Sequence, residues 1–213
     1  MHKVNRTKLV AAMALVAAAL PSWANPIPYP TTGTVASASR FVAEGALVSL
    51  YFAGANAGDG DQMQLIDLTT GNKTGWVFSN HATTIGAEVS LATNAGDLLE
   101  FQLKNVTTGD IFSSLATDSA DGINHVYATA FDPSGQAGDL SALPAGKYLG
   151  FEDLVYNPNQ KAGTRGNSDL DYNDLAVIVV GDDIHPAPEP SSLALLGGAL
   201  LAIGRIRKGR ETP

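Results

Sequence analysis

Apolar residues along this chain fall in short runs, and clusters of Gly, Asp, Asn, Ser and Thr separate them. Residues 47–52, 63–68, 75–78, 88–92, 98–103, 125–131, 148–151 and 175–180 each have strand length and strand composition. Segments 54–61, 70–72, 107–110 and 132–135 supply the Gly, Asn and Asp that tight turns require. Leu99, Phe101 and Leu103 alternate with Glu100 and Gln102, which predicts a strand with one wet face. Residues 175–180 are apolar at every position, which predicts a central strand covered on both faces. No part of the body keeps a helical period over three turns. The pattern predicts an all-β fold, an antiparallel β-sandwich (jelly-roll-like) over residues 45–184. Residues 25–44 lack the pattern and read as a flexible lead-in, and residues 157–167 read as a mobile loop.

The two ends follow a different rule. Lys3, Arg6 and Lys8 precede an apolar run at 9–20, Pro21 breaks it, and Ser22-Trp23-Ala24 offers small residues for a signal peptidase. Residues 1–24 are thus predicted to be a signal peptide cleaved after Ala24. At the other end, residues 185–190 form a Pro-rich linker, which proline keeps extended. Residues 191–206 are apolar, and Arg205, Arg207, Lys208 and Arg210 give a basic tip over 191–213. As a helix this apolar run is about 24 Å long, slightly short of a ~30 Å hydrocarbon core. Its basic tip favours the cytoplasmic side. Transient residence as a transmembrane helix in the inner membrane is expected.

Pro188-Glu189-Pro190, the apolar segment and the basic tip together resemble the PEP-CTERM sorting signal of Gram-negative bacteria. The resemblance implies that the chain is a substrate of exosortase, a membrane cysteine protease-transpeptidase that cleaves near the motif. A hydrophobic tail that holds a protein briefly and is then removed follows the logic of a GPI signal.

Trimming both ends changes the charge. Residues 25–187 keep 6 basic and 19 acidic side chains, a net charge near −13 where the whole chain carries −8. That argues against nucleic acid as a partner and favours divalent cations. The chain has no cysteine, which excludes disulfides, thiolate metal sites and cysteine nucleophiles.

Acidic residues crowd one stretch, "SDLDYNDLAVIVV" at 168–180. Read as extended chain, Asp169, Asp171 and Asn173 share one face, and Leu170, Tyr172 and Asp174 the other. Glu152 and Asp153 follow the strand at 148–151 and meet this cluster if the two strands pair. Two carboxylates about 5 Å apart repel by roughly 3 kcal/mol at an effective dielectric of 20. A Ca²⁺ ion with six to eight oxygen ligands removes that repulsion. Glu152, Asp153, Asp169, Asp171, Asn173 and Asp174 are therefore candidate calcium ligands. The Asp169, Asp171, Asn173 spacing is not an EF-hand, since Asp174 stands where glycine is needed and Val180 where glutamate is needed. Asp59-Gly60-Asp61 is a second acidic loop with few ligands. His81 and His125 read as hydrogen-bonding residues, not zinc ligands. Asn72 and Asn105 head sequons that carry little weight.

"GFEDL" (150–154) followed by "DLDYNDL" (169–175) resembles the C-terminal core of the domain of unknown function 4114, as "LYFAGANAGDGDQMQL" (50–65) and "FSNHATTIGAEVSL" (78–91) resemble its upstream part. The resemblance implies a β-rich extracellular module without established activity. Its acidic positions correspond to Glu152, Asp153, Asp171, Asn173 and Asp174.

Three function classes follow. The first is an exported structural or interaction protein of the cell surface, extracellular matrix or biofilm. The second is a calcium-dependent carbohydrate-binding module for exopolysaccharide, with Trp76, Tyr127 or Tyr156 as stacking platforms. The third is a hydrolase using Glu152 and Asp171 as paired carboxylates, for which the sequence marks neither a raised-pKa acid nor a pocket. The motifs G-x-S-x-G and H-E-x-x-H are absent, and the reading is non-enzymatic.

Overall fold

A computed structural model describes residues 32–36, 41–43, 45–164, 166–181 and 185–186. The expected signal peptide, Pro188, Glu189 and Pro190, and the expected C-terminal helix lie outside them. The strands are β1 (Phe41–Val42), β2 (Leu47–Gly54), β3 (Asp61–Asp67), β4 (Glu88–Ala92), β5 (Leu98–Asn105), β6 (Ile111–Ser113), β7 (Val126–Phe131), β8 (Gly146–Phe151), β9 (Leu175–Gly181) and β10 (His185–Pro186). They form two five-stranded sheets, one ordered β10-β1-β5-β3 with β6 on β5, the other β4-β2-β9-β8-β7. Every pairing is antiparallel. Among the described residues the only helical turns are short 3₁₀ segments, and no helix is long and apolar enough to cross a membrane.

One apolar core joins the sheets. Phe41, Met63, Leu65, Leu99, Phe101 and Leu103 of the first sheet cluster with Val48, Leu50, Phe52, Leu149, Phe151, Leu175, Val177 and Val179 of the second. The strand read as central is central: β9 lies between β2 and β8. Its odd-numbered residues 175–179 face the shared core. Ala176 and Ile178 face the other way, under Phe131, Leu143 and Tyr148. The segment carrying Leu140 and Leu143 thus covers the second face of the sheet, which is why β9 needs no polar position.

Three details depart from the pattern. Residues 75–78 form no strand; Val77 makes a single bridge to Met63. Gly75 and Phe78, at φ of 72° and 56°, break the extension on either side. The expected wet face of β5 is partly closed: Glu100 is buried, accepting hydrogen bonds from Ser113 Oγ and Gln102 Nε2, both at 2.6 Å. The first sheet also draws in chain from both sides of 45–184. Phe41, within the segment read as a lead-in, is buried with its ring edge-on to Phe101 at 5.0 Å. His185–Pro186, within the Pro-rich linker, pairs with β1.

Candidate functional site: two carboxylate clusters on one cavity

Pairing of β8 with β9 brings Phe151 opposite Leu175 and closes the acidic segments on one another. Asp174 N–H donates to Phe151 O at 3.1 Å, and Asp153 N–H donates to Asp174 Oδ2 at 2.9 Å. Glu152 and Asp153 therefore do meet the 169–174 segment.

That segment is not extended. Leu170 and Tyr172 both adopt left-handed backbone, with φ of 55° and 56°, and both are fully buried. Such conformations cost a non-glycine residue free energy and persist where surrounding contacts over-determine them. Glu152 supplies much of the constraint. Its Oε1 accepts from Tyr172 N–H at 2.5 Å, its Oε2 accepts from Ser168 Oγ, and Ser168 Oγ accepts from Leu170 N–H at 3.0 Å. The Tyr172 hydroxyl accepts from Ala36 N–H at 2.6 Å. Below, Gly150 leaves room for the Tyr172 carbonyl, which stands 2.1 Å from where a Cβ at position 150 would lie. His125 is a core hydrogen-bonding residue: its Nε2 lies 2.9 Å from Asp121 Oδ1, and its Nδ1 lies 3.3 Å from Glu152 O. Burial works against ionisation of Asp121, but the His125 ring and the Tyr156 and Ile123 N–H groups outweigh it and hold its pKa down.

The six residues read as one calcium site divide between two clusters. Glu152, Asp169 and Asp171 place carboxylate oxygens within 4.8 Å of one another. Asn173 is tied to this group through its nitrogens. Its Nδ2 donates to Asp171 Oδ2 at 2.5 Å, its N–H donates to Asp171 Oδ1 at 3.2 Å, and its own carbonyl accepts from Asn56 N–H at 3.0 Å. Burial raises the Glu152 pKa to about 7, with Asp169 and Asp171 adding to the rise and the Ser168 and Tyr172 hydrogen bonds opposing it. Burial and the charge of Asp169 likewise raise Asp171.

Asp153 and Asp174 instead join Asp59 and Asp61, the acidic loop that the sequence marked as ligand-poor. Asp61 opens β3 and is buried, with its carboxyl against that of Asp153 and the charge of Asp59 nearby. Asp61 Oδ2 accepts from Asn80 Nδ2 at 3.0 Å, whereas the buried Oδ1 has no hydrogen-bond donor. Asn105, fully buried, bridges the loop and the strand end: its Nδ2 lies 2.9 Å from Asp59 Oδ2 and 3.1 Å from Asp153 O. Such an asparagine is no accessible glycosylation site. Burial, then the charges of Asp153 and Asp59, raises Asp61 to about 8. Burial, then the charges of Glu152 and Asp153, raises Asp174 to about 9. Asp153 is raised as well, again chiefly by burial. A cavity of about 550 Å³ opens over both clusters, with Asp59, Glu152, Asp153, Asp169 and Asp174 in its wall. Among the described residues no basic and no aromatic side chain lines it.

The comparison with protein families bears on the tail that follows β10. Residues 186–208 match the PEP-CTERM protein-sorting motif. The match begins at Pro186, the last residue of β10, and contains Pro188, Glu189 and Pro190. A tail of this kind marks an exported protein of the cell envelope or surface that an exosortase processes. The match leaves the body of the chain unassigned, and nothing in the comparisons supports its resemblance to the domain of unknown function 4114. No curated protein and no solved structure matches the chain.

Proposed function

We propose that this chain is a structural or interaction protein of a Gram-negative cell surface or extracellular matrix. It is a jelly-roll-like β-sandwich carried outward by a signal peptide and released or fixed there by an exosortase. The observation that carries the reading is the sorting motif at 186–208, joined directly to the sheet through β10. A soluble body near −13, without cysteine, suits export and a calcium-rich exterior. Calcium on Glu152, Asp169 and Asp171 belongs to this reading. The donors are all oxygen, and their 4.8 Å spread is what an ion with bonds of about 2.4 Å spans.

The reading assigns no catalysis. Glu152 has the raised pKa of a general acid, a feature the sequence did not mark; each of its oxygens accepts one hydrogen bond, from Ser168 and from Tyr172, and keeps a second lone pair for a cation. Binding of exopolysaccharide gains no support from the cavity, which has no aromatic platform among the described residues. Trp76 lies under Lys104 Nζ at 5.9 Å, and Tyr127 packs against Tyr172.

Intact-mass measurement of the surface fraction tests the proposal. The expected species lacks the first 24 residues and the C-terminal tail. Replacement of Pro188, Glu189 and Pro190 by alanine leaves the apolar segment in place and traps the protein in the inner membrane. A surface-fraction chain still ending at Pro213 overturns the reading.

A further inference from the structure

The tail leaves the body through β10, and the sequence there repeats one residue. Pro186, Pro188 and Pro190 occupy every second position. In extended chain, alternate residues turn their N–H and C=O groups to the same side. The side carrying residues 186, 188 and 190 therefore has no N–H donor. The donors of this stretch, on His185, Ala187 and Glu189, all lie on the other side. β1 already uses that side. Ala43 N–H donates to Asp97 O at 2.9 Å, and Ala43 O accepts from Gly96 N–H at 2.6 Å, so Ala43 is turned towards β5. Val42, one residue back, is turned towards β10, where it lies opposite His185. Pro186 lies opposite Phe41, at the pair that needs no donor, which is how a proline fits the outermost strand of a sheet.

A peptide read in extended form is bound by strand addition, through its main-chain hydrogen bonds. We infer that the exosortase reads Pro188-Glu189-Pro190 by the one donor-bearing side of the chain, the side through which β10 holds β1, and that β10 must leave β1 before the tail is cut. That order of events rests on processing by an exosortase, as proposed above. Pro188 stands two residues beyond Pro186, and extended chain covers no more than about 7 Å over that step. While β10 is docked, the motif is held too near the sheet for a cleft to close around both sides of the bond it cuts. Release needs little: a pair of two residues at the end of a sheet opens readily, whereas the core strands stay folded. β10 is thus a latch, which gives the enzyme the same backbone edge that it gives the folded body.

The chain has no cysteine, so one engineered disulfide tests the latch without competing thiols. Full-length Val42→Cys/His185→Cys is expressed in cells that carry the exosortase. The two positions are register partners, and position 185 lies outside the matched 186–208. Oxidation locks β10 to β1. The control is Ser49→Cys/Ser90→Cys, register partners in the other sheet with Oγ atoms 2.8 Å apart. Intact mass of the membrane and surface fractions reads the disulfide and the tail together. The locked chain keeps its tail, reduction restores cleavage, and the control loses its tail whether oxidised or reduced. Val42→Pro removes the donor that faces β10, spares the Ala43 bonds to Asp97 and Gly96, and is cut at least as fast as wild type. A locked chain cut as completely as the control overturns the inference. So does a Val42→Cys/His185→Cys chain that forms no disulfide in an oxidising medium, since β1 and β10 would then not be held together. Loss of cleavage that persists after reduction also overturns it, because the substitutions and not the lock would then be responsible. If wild type and control also reach the surface with the tail intact, processing by an exosortase itself fails, and the latch with it.

Discussion

Substitution of Gly150 by alanine tests the link between the sheet and the acidic segment. Gly150 sits in β8, and the added methyl carbon would lie 2.1 Å from Tyr172 O, 3.0 Å from Tyr148 Cε1 and 3.2 Å from Tyr172 C. Ordinary contact begins near 3.4 Å, so the Tyr172 carbonyl must retreat by about 1.3 Å. The obstacle is backbone and cannot swing aside. Tyr172 N–H moves with it and leaves Glu152 Oε1, 2.5 Å away in the wild type. Overpacking of this kind costs about 1–3 kcal/mol, and a buried acceptor losing its donor about 1–3 kcal/mol more. A total near 3 kcal/mol lowers the Tm by roughly 6–12 °C in a chain of this size. Thermal unfolding followed by tryptophan fluorescence reads the shift. Gly58→Ala is the control: nothing lies within 4 Å of the added carbon there, and its Tm stays near wild type. A Gly150→Ala chain melting within about 1 °C of wild type refutes the argument that β8 holds the 168–174 segment by close approach.

Two further predictions concern the core and the acid groups. Val177→Asp or Ile178→Asp prevents folding, since either buries an unpaired charge on one face of the central strand; a soluble, cooperatively melting variant at either position contradicts the two-sided cover of β9. In chelator, stability falls as pH rises from about 4 to about 8. Glu152 (facing Asp169 and Asp171), Asp61 (facing Asp153 and Asp59) and Asp174 (facing Glu152 and Asp153) have folded pKa values of about 7, 8 and 9. Their unfolded values lie near 4, so across that window the folded chain keeps protons that the unfolded chain has released. A Tm higher at pH 8 than at pH 5 in the absence of metal refutes this.

Hydrophobic period carried most of the strand assignments, because a half-buried strand writes its burial into every second residue. β9 was the easiest, as both its faces are dry. β1, β6 and β10 were invisible, since two or three residues cannot show a period. The left-handed backbone at Leu170 and Tyr172 was equally hidden. Nothing in "DLDYND" announces it; it follows from Glu152 gripping Ser168 and Tyr172 across the strand pair. The meeting of Glu152 and Asp153 with the 169–174 segment was legible, because sequence proximity of two pairing strands implies it. The partnership of Asp61 with Asp153 was not. It depends on how β3 in one sheet is set against β8 in the other, a long-range relation that no local pattern encodes.

The pairing of β1 with β10 has a mechanical consequence. Phe41 lies opposite Pro186, so the chain enters the first sheet and leaves it at the same corner. Pulling the two ends apart would open this antiparallel pair like a zipper, one bridge at a time, not slide the strands past each other against all their bonds together. A link in a fibre under tension needs the opposite arrangement, with its ends at opposite poles. Traction applied to the chain beyond Pro186 is felt first by the two residues of β10.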